Sequence, residues 1–158
     1  AAILRRGVRF VQLYHGAGSK WDSHTKMEEN HTRLCANVDQ PIVGLITDLK
    51  QRGLLEDTIV LWTTEFGRMP FSQGAAGRDH NGGTFVSWVS GAGIRGGVAY
   101  GQSDEWSWKS LKPTWCYDLH ATILHLLGID HERLTFRNAG IDRRLTDVHG
   151  EVVQALLA

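Results

Sequence analysis

Cysteine is scarce in this 158-residue sequence, net charge is absent, and no apolar run approaches the length of a membrane helix. The two cysteines, Cys35 and Cys116, lie far apart inside apolar helical patterns and make no CxxC or other zinc-type spacing, which excludes a thiolate metal site. They read as two buried free thiols. The 17 basic and 17 acidic side chains cancel, so no sequence-wide field draws the chain to nucleic acid or an anionic membrane. A membrane helix needs about 20 apolar residues, and none of the runs comes near that. Ala1-Ala-Ile-Leu-Arg-Arg6 lacks the apolar core of a signal peptide. There is no internal repeat, low-complexity tract or Pro/Ser linker, so residues 1–158 are read as one α/β domain.

What is present is a chain of β-rich and helical segments. Val8-Arg-Phe-Val-Gln-Leu-Tyr14 is half alternating and is punctuated by His15-Gly-Ala-Gly18, the pattern of a strand ending in a loop. Thr25 to about Arg33 is helical, with Met27, His31, Leu34 and Cys35 on one face. Pro41 cannot donate a backbone hydrogen bond, so a fresh helix is expected from Asp39 as its cap, with Ile42, Leu45, Ile46 and Leu49 as its apolar stripe and Gly53 as its stop. The strand Thr58–Thr64 follows. Strand, helix and strand in this order predict a βαβ unit with a parallel sheet. Thr84–Ser90 is a third strand candidate, and Val98–Gly101 a short edge strand. A helix starts at Pro113-Thr114 and stops at Gly128, and a last one runs from about Asp147 to the end. Gly91-x-Gly-x-x-Gly96 has no helix pattern after it and reads as a loop rather than a nucleotide fingerprint. Trp62, Trp88 and Trp115 fall in these elements and are expected in the core.

Chemistry concentrates in three places. Asp22 and His24 flank Ser23, so both side chains can face one way, and an ionised carboxylate with a neutral imidazole suits a borderline divalent ion such as zinc. Glu65 ends an apolar strand, where a buried carboxylate needs a cation; the plainer reading pairs it with Arg68. Asp79-His80 follows in a glycine-rich loop and forms the second carboxylate–imidazole pair. Arg68 and Arg78 have the fork geometry that holds a tetrahedral oxyanion. His120, His125 and His149 are assigned to surface or helix packing, and His15 to the surroundings of Asp22.

With Gly7-Val-Arg-Phe-Val-Gln-Leu-Tyr14, Trp21-Asp-Ser-His24, Asp57 through Arg68, Gly77-Arg-Asp-His-Asn81, Asp118 through Gly128 and Thr146-Asp-Val-His-Gly-Glu151 in order along it, the chain resembles the C-terminal part of the bacterial family called domain of unknown function 1501, which is grouped with sulfatases and alkaline phosphatases. The resemblance implies a three-layer αβα domain with a mostly parallel sheet, alkaline-phosphatase-like and incomplete, the C-terminal portion of a larger domain. It also implies a periplasmic or secreted protein. Asp22 and His24 resemble the superfamily's ligands to the first metal, and His80 its later lone histidine. Glu65 stands where the superfamily has an aspartate, and Phe66 where it has a histidine. Phe66 cannot bind a metal. The nucleophile and the first metal-binding aspartate would come from an N-terminal segment that these residues do not include.

Two functions are consistent with these features. In the first, the chain is the metal-dependent part of a hydrolase acting on phosphate or sulfate esters of a small molecule or glycan. Asp22, His24 and His80 would hold the ion, Glu65 and Asp79 would add ligands or support, and Arg68 or Arg78 would steady the ester. Zinc is the first expectation for the ion and calcium the second. In the other, the chain is a non-catalytic binding or structural module that keeps the fold and uses the same charges to hold its loops; Phe66 favours it.

Overall fold

The computed structural model describes residues 2–15 and 18–158 of the chain. It contains two α-helices and three separate two-stranded antiparallel ladders. In chain order these are α1 (Met27–Gln51), β1 (Ile59–Trp62), β2 (Gly67–Arg68), β3 (His80–Asn81), β4 (Trp88–Gly91), α2 (Cys116–Leu126), β5 (Thr135–Asn138) and β6 (Ile141–Arg144).

The expected three-layer αβα domain with a mostly parallel sheet is not what forms. Among the described residues every strand pair is antiparallel, β1 with β4, β2 with β3 and β5 with β6. The βαβ unit fails at its first strand. Val8–Tyr14 has the composition of a strand but finds no ladder, and Phe10, Leu13 and Tyr14 are 78–82% exposed. The glycine punctuation after it includes Gly16 and Ala17, which lie outside the described residues. β1 takes its hydrogen bonds from β4 instead, with Ile59 opposite Gly91 and Trp62 opposite Trp88.

Helix α1 is one 25-residue element rather than two helices. Pro41 lies inside it, and Asp39 caps nothing. A proline within a helix removes one i to i−4 bond and costs about 3 kcal/mol. Here the carbonyl deprived of its donor belongs to Asn37, which with Pro41 is on the exposed side, where water can take the missing donor's place. Leu34 and Leu49, each 1% exposed, anchor the helix on either side of that point. Burying each such side chain is worth about 1.5–3 kcal/mol. The helix stops as its sequence predicts: Gly53 adopts φ +66°, its N–H reaches the Lys50 carbonyl, and the Leu54 N–H reaches that of Leu49.

Helix α2 carries Ala121 and Leu124 into the core and is tied to the C-terminal segment by two polar side chains. The Asp118 carboxylate accepts from the Trp115 N–H at 2.8 Å and from the Glu151 N–H at 2.9 Å. Thr122 Oγ1 donates to the Asp118 carbonyl and accepts from the Val153 N–H. The last helix expected from Asp147 does not form; Gln154–Leu156 is a single 3-10 turn, and the segment bonds across to the 91–95 loop instead. The β5–β6 hairpin, unforeseen in the sequence, turns on Ala139 and Gly140, both at positive φ. No strand forms at 98–101. Cys35 and Cys116 are free thiols but exposed, not buried, and Trp62 and Trp115 are 45% and 64% exposed rather than core. No helix among the described residues is long and apolar enough to cross a membrane.

Candidate metal centre

The residues between α1 and β4 owe their arrangement to a short pair of strands and a stitched loop. In β2–β3, Arg68 is the direct partner of His80, and partners in an antiparallel ladder project to the same face. The loop from Gln73 to Arg78 is fastened to the segment before α1: the Met27 N–H donates to the Ala76 carbonyl at 2.8 Å, and the Arg78 N–H to the Ser23 carbonyl at 3.0 Å. Gly77 is where the two segments touch. A Cβ there would run into the backbone carbonyl of His24, so only glycine lets the loop lie this close.

This arrangement brings Asp22, His24 and His80 to one point. Asp22 Oδ1 is 2.9 Å from His24 Nε2 and 3.0 Å from His80 Nε2, and the two imidazole nitrogens are 3.1 Å apart. Bonds of about 2.0–2.1 Å to a common ion separate ligand atoms by about 2.9 Å at right angles and about 3.4 Å at tetrahedral angles. The observed triangle lies at the lower end of that interval. His24 Nδ1 meets Gln73 Oε1 at 2.6 Å; with that oxygen as acceptor, the ring proton sits on Nδ1 and the Nε2 lone pair faces Asp22 and His80.

Arg68 completes the group. Its Nη2 donates to the same Asp22 oxygen at 2.7 Å, and its Nη1 to the Arg78 carbonyl at 3.3 Å. The hydrogen bond from His80, then the one from Arg68, hold the Asp22 carboxyl down at about 2. Phe66, unable to ligate, stacks on the His80 ring with centroids 4.4 Å apart and lies 5.6 Å from the Arg68 guanidinium carbon, so it steadies both.

The other expected site residues do not join Asp22, His24 and His80. Glu65 is held by its own backbone N–H and then by the Thr64 hydroxyl, at 2.8 Å, which together keep its carboxyl below the usual range. Asp79 Oδ1 accepts the His80 N–H at 2.8 Å and stays 3.8 Å from His24 Nδ1. Arg78 directs Nη1 to Ser72 Oγ and the Gly77 carbonyl. Of the remaining histidines, His15 accepts from the Trp21 indole rather than touching Asp22, and His149 stacks on Tyr117. Gln73 gave no sign of its role in the sequence, since a glutamine in a glycine-rich loop has no spacing that marks it as a partner of His24.

A family model described as "Protein of unknown function (DUF1501)" matches residues 2–157. No curated protein matches the chain, and no solved structure does.

Proposed function

This chain belongs to the DUF1501 family, and from that premise we propose that Asp22, His24 and His80 bind one divalent metal ion that serves the hydrolysis of phosphate or sulfate esters of a small molecule or glycan. The observation carrying this reading is the meeting of one carboxylate oxygen and two ring nitrogens within 3.1 Å of one another, with His24 Nε2 left unprotonated by Gln73. In the metal-free chain the Asp22 oxygen is satisfied by the His80 Nε2 proton and by Arg68; with that proton lost, the lone pairs of all three atoms would meet at one point, where a cation would take its place. Two imidazoles and one carboxylate suit zinc better than calcium, whose sites are built from oxygens. The resemblance of these three residues to metal ligands of sulfatases and alkaline phosphatases supports the ester as substrate.

On this reading a bound zinc ion would supply Lewis acidity toward an ester oxygen and lower the pKa of a water molecule. The chain's own residues do the rest. Asp22 and the two imidazoles hold the site, Gln73 fixes the His24 tautomer, and Phe66 limits rotation of His80. Arg68, already against Asp22, has its remaining N–H groups to orient an anionic oxygen beside the ligands.

The Arg68–Asp22 ion pair favours a second reading, a non-catalytic module in which Asp22, His24, His80 and Arg68 form only a network that ties β2–β3 to the segment before α1. The test is hydrolysis of p-nitrophenyl phosphate and p-nitrophenyl sulfate by the purified chain, chelator-treated and then supplied with zinc. Zinc-dependent release of p-nitrophenol that His80→Ala abolishes supports the hydrolase. No stoichiometric zinc, with a melting temperature that a chelator leaves unchanged, moves the assignment to the non-catalytic module.

A further inference from the structure

We propose that the cavity lined by Ser23, Arg68 and Arg78, which none of Asp22, His24 and His80 lines, is a separate binding site for a small oxyanion group. Asp22 and His24 are half exposed, whereas Ser23 between them is 4% exposed and lines a cavity of about 220 Å³. Ser23, Met27, His31, Arg68, Met69 and Arg78 line it. Two arginines and a histidine are therefore among the residues lining a space that no aspartate or glutamate lines.

The charges are unequal in their compensation. Arg68 is neutralised by Asp22. Arg78 gives its hydrogen bonds to Ser72 Oγ at 3.1 Å and the Gly77 carbonyl at 2.8 Å, both neutral, and among the described residues it has no carboxylate partner. Both bonds use Nη1, which leaves Nη2 and Nε, a fork suited to two oxygens of one anion. Ser23 Oγ accepts from Asn30 Nδ2 at 2.9 Å, so its own proton is free to be donated. The cavity also meets the first residue of α1, a helix with no side-chain cap, whose start carries partial positive charge. Met27 and Met69 supply soft apolar walls for whatever carbon the oxyanion is attached to.

This site requires no metal. It is linked to the metal ligands through Arg68, because the Asp22 carboxylate competes with an incoming anion for that guanidinium. Neutralising Asp22 thus strengthens anion binding while weakening metal binding, a pair of opposite effects that a structural role for Arg68 would not produce.

Calorimetric titration of the chelator-treated chain at low ionic strength, with inorganic phosphate, sulfate and acetate as separate probes, tests the proposal. At least one should bind saturably at one per chain. Tetrahedral anions alone would assign the site to a phosphate or sulfate group, and acetate alone to a carboxylate. Arg78→Gln should weaken binding at least tenfold, and Asp22→Asn should tighten it severalfold. Because Arg78→Gln can also disturb the loop, Asp22→Asn decides independently. The proposal is overturned if none of the three anions binds saturably, or if Asp22→Asn leaves the anion affinity unchanged or lower.

Discussion

Arg68 and His80 stand opposite each other across the β2–β3 pair, and both side chains end on the same oxygen of Asp22, at 2.7 and 3.0 Å. A guanidinium is thus placed against the only carboxylate of the Asp22–His24–His80 group, where it would compete with a bound metal ion for that oxygen.

Arg68→Met should therefore raise zinc affinity while lowering turnover. A unit charge and a divalent ion about 4 Å apart in a well-hydrated site repel by about 2 kcal/mol, or about thirtyfold in a binding constant. Titration calorimetry should show zinc binding tighter in the variant by up to about thirtyfold, with slower ester hydrolysis. Weaker zinc binding would mean that Arg68 organises the ligands more than it repels the ion.

Gly77→Ala tests the close approach of the 73–78 loop to His24. The added methyl meets backbone rather than a yielding side chain, so the loop must move away from the 22–24 segment. Overpacking of this kind costs about 1–3 kcal/mol. The urea midpoint should fall accordingly, and zinc affinity should fall with it because His24 shifts. A variant that unfolds at the wild-type midpoint and binds zinc as tightly would show that the loop gives way without disturbing the site.

How far the sequence disclosed this arrangement depended on whether a signal was local. Asp22, His24 and His80 stood out as residue types in suggestive pairs, and the structure brings those three together. Glu65 and Asp79 had the same chemistry but bond to their own neighbourhood, Thr64 and the His80 N–H, which spacing alone does not reveal. Gln73 and the β2–β3 register are long-range and left no mark. In the fold, the stop at Gly53 was legible because a helix end is a local event. The parallel sheet expected from the sequence does not form, because strand composition in Val8–Tyr14 says nothing about whether a partner is present to pair with it. Pro41 misled for a related reason: its missing bond falls on an exposed carbonyl, and burial of Leu34 and Leu49 outweighs the local preference.

The metal-free protein should show the influence of Asp22 on acid stability. Its folded value of about 2 lies below the ordinary 3.8, owing to the hydrogen bonds from His80 and Arg68. A depressed carboxyl stabilises the folded state while it is ionised in both states, so its contribution is present above about pH 4 and disappears as the pH falls toward about 2. Urea denaturation of the chelator-treated wild type and Asp22→Asn should show a stability gap that is constant from about pH 5 to 7 and closes between about pH 4 and 2. A gap that closes well above pH 5, or persists undiminished at pH 2, would contradict the assignment.

The central claim is that two imidazole nitrogens and one carboxylate oxygen form a single metal site. Titration of zinc into the chelator-treated chain, beside a His24→Ala/His80→Ala variant whose circular dichroism matches the wild type, measures it directly. Loss of a residue that merely supports a ligand costs about 10–100-fold in affinity, and removal of two ligands should exceed that. The predicted result is one zinc ion per wild-type chain and binding weakened by more than about 100-fold in the variant. No stoichiometric binding by the wild type, or equal affinity in both proteins, would contradict it.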